Sequence, residues 1–174
     1  VLENWSVEHR ATVEVSNHPQ NPEARNRDIP ISNEVWIERE DFMEEPLKGY
    51  HRLSPPRFDG KGAQIAGSVV RLKYGYIIQC TGLKKNFDGT VAEVYATLVP
   101  DTRSGTPGAD AVKTKGVLTW VAAHDALPAE LRLYDRLFTA AQPDAAGREF
   151  KDCLNPNSKK VVRGWLEPSL AAAS

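Results

Sequence analysis

Apolar and polar residues alternate in short runs along this chain, and few stretches keep a 3.6-residue apolar period, so the pattern predicts a mainly β fold with a few short helices. Residues 11–15 (Ala-Thr-Val-Glu-Val) read as a strand, stopped by Asn17-His18-Pro19-Gln20-Asn21-Pro22. Two prolines three apart fix φ and withhold two backbone donors, which predicts a rigid loop. His18 in that loop reads as a histidine bonding its own backbone. Residues 34–39 are β-branched and aromatic, a second strand. A helical turn is expected over 41–45, with Asp41 as N-cap and Glu44 three residues on, ended by Pro46.

Residues 57–68 hold Gly60, Gly62 and Gly67 and read as a mobile loop at the tip of a hairpin. The clearest strand covers 70–80. Val70, Leu72, Tyr74, Tyr76 and Ile78 fall on one face, and Arg71, Lys73 and Gly75 on the other. That places two cations side by side, roughly 7 Å apart. Asp88-Gly89 marks a hairpin turn from which 91–99 returns. Residues 101–108 are turn-rich, 117–121 and 131–138 are further strands, 147–154 a short helix and 160–166 a last strand. Strands every 10 to 25 residues with turn signals predict barrels rather than an open parallel sheet. A strand ending in Phe42, a short helix and a strand over 69–78 recur as a strand ending in Phe138, a short helix and a strand over 161–166. This half-chain echo predicts two similar small barrels.

Charge changes the picture more than composition does. With 174 residues, 41% hydrophobic and 26% charged, the chain can build one ordinary domain or two small ones without staples. Its net charge of −1 hides a strong local asymmetry. The first 47 residues carry eleven Asp/Glu against four Lys/Arg. Residues 48–85 carry eight Lys/Arg, among them Lys48, Arg52, Arg71, Lys73 and Lys84, against Asp59 alone. A basic stretch beside a strand with aromatics is the footprint of a phosphate-rich partner, although on charge alone a solvated loop and strand face is the plainer reading. Cys80 and Cys153 have no metal or redox spacing and point to a reducing compartment. No run of 18 apolar residues predicts a membrane span. The opening Val-Leu-Glu-Asn, without Met or a signal-peptide pattern, predicts a start inside a longer protein.

Catalytic chemistry is not written in the spacing. His9, His18, His51 and His124 are scattered, with no pair at metal-ligand spacing. Gly60-Lys61-Gly62 lacks the spaced glycines and the Lys-Ser/Thr of a phosphate-binding loop. The carboxylate pairs Glu44-Glu45 and Glu38/Glu40 sit in an acidic segment and read as solubilising.

Several stretches carry a family signature from end to end of the chain, in order. They are Asn17-His18-Pro19, residues 35–42 (Val-Trp-Ile-Glu-Arg-Glu-Asp-Phe), Val70-Arg71-Leu72-Lys73, residues 126–138 (Ala-Leu-Pro-Ala-Glu-Leu-Arg-Leu-Tyr-Asp-Arg-Leu-Phe), Asn155-Pro156-Asn157-Ser158 and Glu167-Pro168-Ser169-Leu170. Together they resemble the C-terminal anticodon-binding region of glutaminyl-tRNA synthetase. The resemblance implies two interleaved β-barrels of the type seen in a ribosomal 5S-rRNA-binding protein, the chain leaving one barrel and returning to it. It implies that Lys48, His51, Arg52, Arg71 and Lys73 meet the anticodon, with Gln20 as a weaker match near the anticodon stem. Arg52 is the strongest of these, because a guanidinium both stacks on a base and makes paired bonds to it.

This sequence departs from the family at three points. Gly49 replaces a polar side chain, His51 stands where lysine is common, and 57–68 lengthens a loop. The resemblance also implies a closing segment after Glu167-Pro168-Ser169-Leu170, with another base contact, before which this sequence is expected to stop. The implied partners are the anticodon stem-loop of tRNA(Gln) and the catalytic domain of the same parent, in a cytoplasmic monomer with no membrane contact. ATP with magnesium belongs to that catalytic domain. Neither its His-Ile-Gly-His-type nor its Lys-Met-Ser-Lys-Ser-type motif occurs here, so the chain alone is expected to be inactive and to carry no cofactor. The alternative reading is a free-standing ribosomal-RNA-binding barrel protein, which favours duplex shape over base edges.

Overall fold

A computed structural model describes residues 1–172 except Arg10, Pro19 and Arg148, with the side chains of Pro22 and Ala146 left aside. Strands occupy 40% of the chain and helical turns 10%, none reaching seven residues, so the protein is mainly β as its alternation predicts. No closed barrel is traced among the described residues. Among the described residues the helical turns are all of the 3-10 type, and no helix is long and apolar enough to cross a membrane.

The chain divides into two compact units. The first comprises Val1–Ala126 and Glu167–Ser174. Its main sheet contains β6 (Val69–Leu72), β7 (Ile77–Lys85), β8 (Val91–Leu98) and β9 (Gly116–Leu118), in the order β8-β7-β6-β9. Neighbours are antiparallel except β6 and β9, which run parallel with Arg71 opposite Val117. Three two-stranded pairings complete the unit. They are β1 (Ala11–Ser16) with β2 (Asn26–Ile31), β3 (Val35–Ile37) with β10 (Trp120–Ala122), and the short β4 (Arg57–Phe58) with β5 (Gln64–Ile65). Inward-facing Val13, Ile31, Leu53, Val70, Leu72 and Leu118 form one core with Trp120.

The second unit, Leu127–Leu166, is an antiparallel ribbon of β11 (Leu127–Tyr134) and β12 (Lys159–Leu166). Short 3-10 turns at Ala145–Gly147 and Phe150–Cys153 lie between them. Among its described residues Cys153 is the only buried apolar side chain, whereas Leu133, Tyr134 and Leu137 are more than half exposed.

Several expectations need correction. The strand expected over 117–121 is two, β9 and β10, in different sheets, and the strand expected over 131–138 is β11, which ends at Tyr134. Residues 70–80 are not one strand but the β6–β7 hairpin, so Arg71 and Lys73 do not lie side by side on a strand face. The helical turn expected over 41–45 lies instead at Arg39–Asp41, where Asp41 closes the turn and is buried. The loop over 57–68 contains its own small hairpin, β4–β5. The helix expected over 147–154 is two separate turns, with Arg148 outside the described residues. The Asp88-Gly89 turn between β7 and β8 is as read, with Gly89 at φ +81°. His18 is also as read: its Nδ1 accepts from the Gln20 backbone N–H at 3.3 Å. Pro19, half of the rigid-loop argument, is outside the described residues.

Candidate nucleic-acid interface

The site grows from a crossing of two short segments. The Leu53 N–H donates to the Asp41 carbonyl at 2.9 Å and the Met43 N–H to the Leu53 carbonyl at 3.0 Å, a short parallel bridge centred on Phe42 and Leu53. Residues 44–52 loop out between these anchors. Within the loop, the Tyr50 N–H bonds the Leu47 carbonyl at 3.0 Å, and Gly49 takes φ +88°. That left-handed position explains why glycine replaces a polar side chain there. The Tyr50 hydroxyl donates to the Glu40 carbonyl at 3.0 Å and ties the loop to the preceding turn.

Gly116 sets how closely the loop lies on β9. A Cβ at that position would fall 1.8 Å from the His51 carbonyl oxygen, so only glycine allows this approach. Arg52 is thereby brought to the strand edge, where its guanidinium donates to the Val117 carbonyl. Its Nε also lies 3.3 Å from Asp41 Oδ1. Burial pushes the Asp41 carboxyl up, and the Arg52 charge opposes that shift without overcoming it. Burial, with Asp41 nearby, likewise raises the Tyr50 phenol. The Arg52 guanidinium is therefore held by the protein through Nε and Nη1 while the side chain stays 43% exposed.

This construction forms the wall of an open cleft of about 940 Å³. Tyr50, His51, Arg52, Lys115 and Thr119 line it together with the acids Glu38, Glu40 and Asp41. The mixture of donors and acceptors is suited to the edges of bases, which present both; a purely cationic groove would suit phosphates only. An aromatic ring beside a planar guanidinium adds a stacking surface for an unpaired base.

The other residues singled out in the sequence are dispersed around this cleft. Lys48 is exposed on the same turn, next to Gly49. Lys73 is exposed at the β6–β7 turn with its Nζ 5.3 Å from the Tyr74 ring centre, and does not line the cleft. Gln20 is exposed on the proline-rich loop. Arg71 is engaged elsewhere: its guanidinium donates to the Thr102 carbonyl at 2.8 Å, to Ser104 Oγ at 3.2 Å and to the carbonyls of Gly75 and Ala109. Lys115 and Thr119 were missed by sequence reasoning. Their signal was present, a lysine leading into an alternating strand, but only the parallel pairing of β9 with β6 brings that strand beside the basic loop.

Comparison with known proteins agrees with this architecture. Residues 1–99 match a family model described as tRNA synthetases class I (E and Q), anti-codon binding domain, and residues 117–174 match a second model of the same description. A glutamine–tRNA ligase of Ralstonia pickettii is 50% identical over 173 residues, covering 99% of this chain and 28% of that protein. The ligase of Cupriavidus taiwanensis matches equally, at 50% over 173 residues, 99% of this chain and 28% of that protein. That of Bordetella pertussis is 48% identical over 172 residues, covering 99% of this chain and 27% of that protein. The chain thus spans little more than a quarter of these relatives' length. It belongs to the anticodon-binding domain family of the class I tRNA synthetases for glutamate and glutamine, and is similar over nearly its whole length to glutamine–tRNA ligases.

Proposed function

We propose that this domain reads the anticodon loop of tRNA(Gln) for a longer ligase that joins glutamine to that tRNA with ATP. The observation that carries the reading is the cleft in which Arg52 is held by Asp41 and Val117 among both donors and acceptors. Arg52 and His51 contact bases there, joined by Lys115 and Thr119. Lys48 and Lys73 neutralise flanking phosphates, and Gln20 reaches the anticodon stem. Arg71 acts indirectly, by holding the loop over 100–111 against the β6–β7 turn. The ribosomal-RNA alternative is disfavoured, because both family models and the curated relatives are synthetases.

The domain works beside the catalytic domain of the same parent, in the cytoplasm and as a monomer. Neither ATP-site motif is present, and among the described residues no three His, Cys, Asp or Glu gather where a cation could be held. The residues do not fit ATP–magnesium, and the pure chain is expected to give no glutamine-dependent ATP–pyrophosphate exchange. The test of the reading is a titration of the chain with the tRNA(Gln) anticodon stem-loop and with the same stem carrying a scrambled loop. Tighter binding of the first is expected. Equal affinity for both would show that the domain senses charge or stem shape, not the anticodon.

A further inference from the structure

The β6–β7 turn displays an aromatic ring that the core does not use. The Gly75 N–H bonds the Leu72 carbonyl at 2.8 Å, so Lys73 and Tyr74 occupy the two central positions of a tight turn. Tyr74 stands at the second of these with φ +63°. Glycine or asparagine is the ordinary occupant of that position, and a bulky residue there is unfavourable. Gly49 holds the equivalent place in the turn over 47–50, at φ +88°, so the same fold meets the same demand with glycine elsewhere.

The buried core does not account for the choice of tyrosine. Tyr74 is 42% exposed and lies outside the core cluster. The turn beneath it is nevertheless clamped. The Lys73 N–H donates to the Leu118 carbonyl at 2.9 Å, and Trp120 Nε1 donates to the Lys73 carbonyl at 3.0 Å. On the other side Ser104 bonds the Gly75 carbonyl through its N–H at 2.9 Å and its hydroxyl at 3.0 Å. A ring displayed on a rigid support loses little entropy when it meets a ligand.

The surroundings identify the ligand's chemistry. Lys73 Nζ stands over the ring at 5.3 Å, and Arg103 is exposed beside the clamping Ser104. One flat aromatic face with a lysine ammonium over it suits a base with its phosphate, because every base offers a π-face while the cation takes the backbone. A protein or lipid partner would call for a broader apolar patch.

We infer that Tyr74 is a stacking platform for an unpaired base of the RNA this domain binds, with Lys73 on the adjoining phosphate. The inference rests on the tRNA-reading role proposed above and adds a contact outside the Arg52 cleft.

Three chains decide the matter: the unaltered protein, Tyr74→Phe and Tyr74→Asn. Each is titrated with the tRNA(Gln) anticodon stem-loop and its scrambled-loop control, and each is melted thermally. Phenylalanine keeps the π-face and should bind within about twofold of tyrosine, while asparagine should lose about tenfold or more. Because asparagine tolerates the left-handed position, Tyr74→Asn should melt no lower than the unaltered chain. Affinity unchanged in Tyr74→Asn overturns this inference alone. So does equal loss in both variants, which would assign the contact to the hydroxyl, or a loss accompanied by a lowered melting temperature, which would make the ring structural. Failure of the unaltered chain to prefer the anticodon loop overturns the proposed function, and this inference with it.

Discussion

Arg52 and Arg71 belong to one basic stretch, yet their guanidinium groups have opposite occupations. Arg71 satisfies the carbonyls of Thr102 and Ala109 in a partly buried loop, and adds a bond to the Gly75 carbonyl that Ser104 already holds. Hydrogen bonds from a charged donor are worth more than neutral ones, so Arg71→Ala should lower the unfolding free energy by about 2 kcal/mol in a urea titration. Arg52 is anchored through Nε and Nη1 with its side chain nearly half in water, and Arg52→Ala should cost about 1 kcal/mol or less. A larger stability loss for Arg52 than for Arg71 would reverse the roles assigned here. The positive charge of the stretch was legible in the sequence. Which cation is available to RNA was not, because the acceptors of Arg71, apart from Gly75, lie 31 or more residues further along, and the wall they form exists only after folding. His18 was legible because its partner, Gln20, is two residues away.

Among the strands and turns, the instructive misreading is β6–β7. Val70 pairs with Ile78, so the register of the hairpin is symmetric about position 74. Apolar positions 70, 72, 76 and 78 therefore keep the same parity in a tight hairpin as in one continuous strand, and alternation cannot separate the two. Gly75 was the only turn residue in sight, and tyrosine masked the left-handed position. β2 was overlooked for another reason. Its Asn, Arg, Asp and Pro are poor strand formers, and only the buried Ile29 and Ile31 betray it. Pro30 is tolerated because β2 pairs on one side only, with β1.

The same strand fixes the end of the chain. Arg27 Nε bonds Glu167 Oε1 at 2.5 Å, returning the last turn, Pro168–Ala172, to β2. Burial pushes the Glu167 carboxyl up, but bonds from Arg27 and Ser169 outweigh it and hold it below the usual value of 4.5. A carboxylate depressed in the folded state stabilises above its unfolded pKa and loses that contribution as pH falls through the folded one. Unfolding free energy should therefore decline on acidification below 4.5, and less steeply in Glu167→Gln. Parallel pH profiles for the two proteins would show that the clasp contributes nothing.

Taken together, the molecule is nearly neutral overall but locally polarised, and that polarity predicts its response to salt. Lys48, Arg52, Lys73 and Lys115 are the exposed cations assigned to RNA. Four such contacts to a single-stranded loop should give log K against log salt a slope of about −3, since each releases a fraction of a counterion. A flat response would remove this face as the binding surface. The mainly β class followed directly from alternation, whereas no local pattern announces that Glu167 rejoins residues 1–126 in one compact unit.

The reading of bases by Arg52 is tested most directly by a double-mutant cycle. Arg52→Ala is combined with a change at each anticodon base in turn, and binding of every pair is measured at one salt concentration. The expected result is a coupling of about 1–3 kcal/mol at one anticodon position and none at the others. Lys84→Ala, whose ammonium is paired with Glu93 on the β7–β8 ribbon, should weaken all loops slightly and about equally. If no anticodon position couples to Arg52 above experimental error, the guanidinium only neutralises phosphate, and the cleft is not where the anticodon is read.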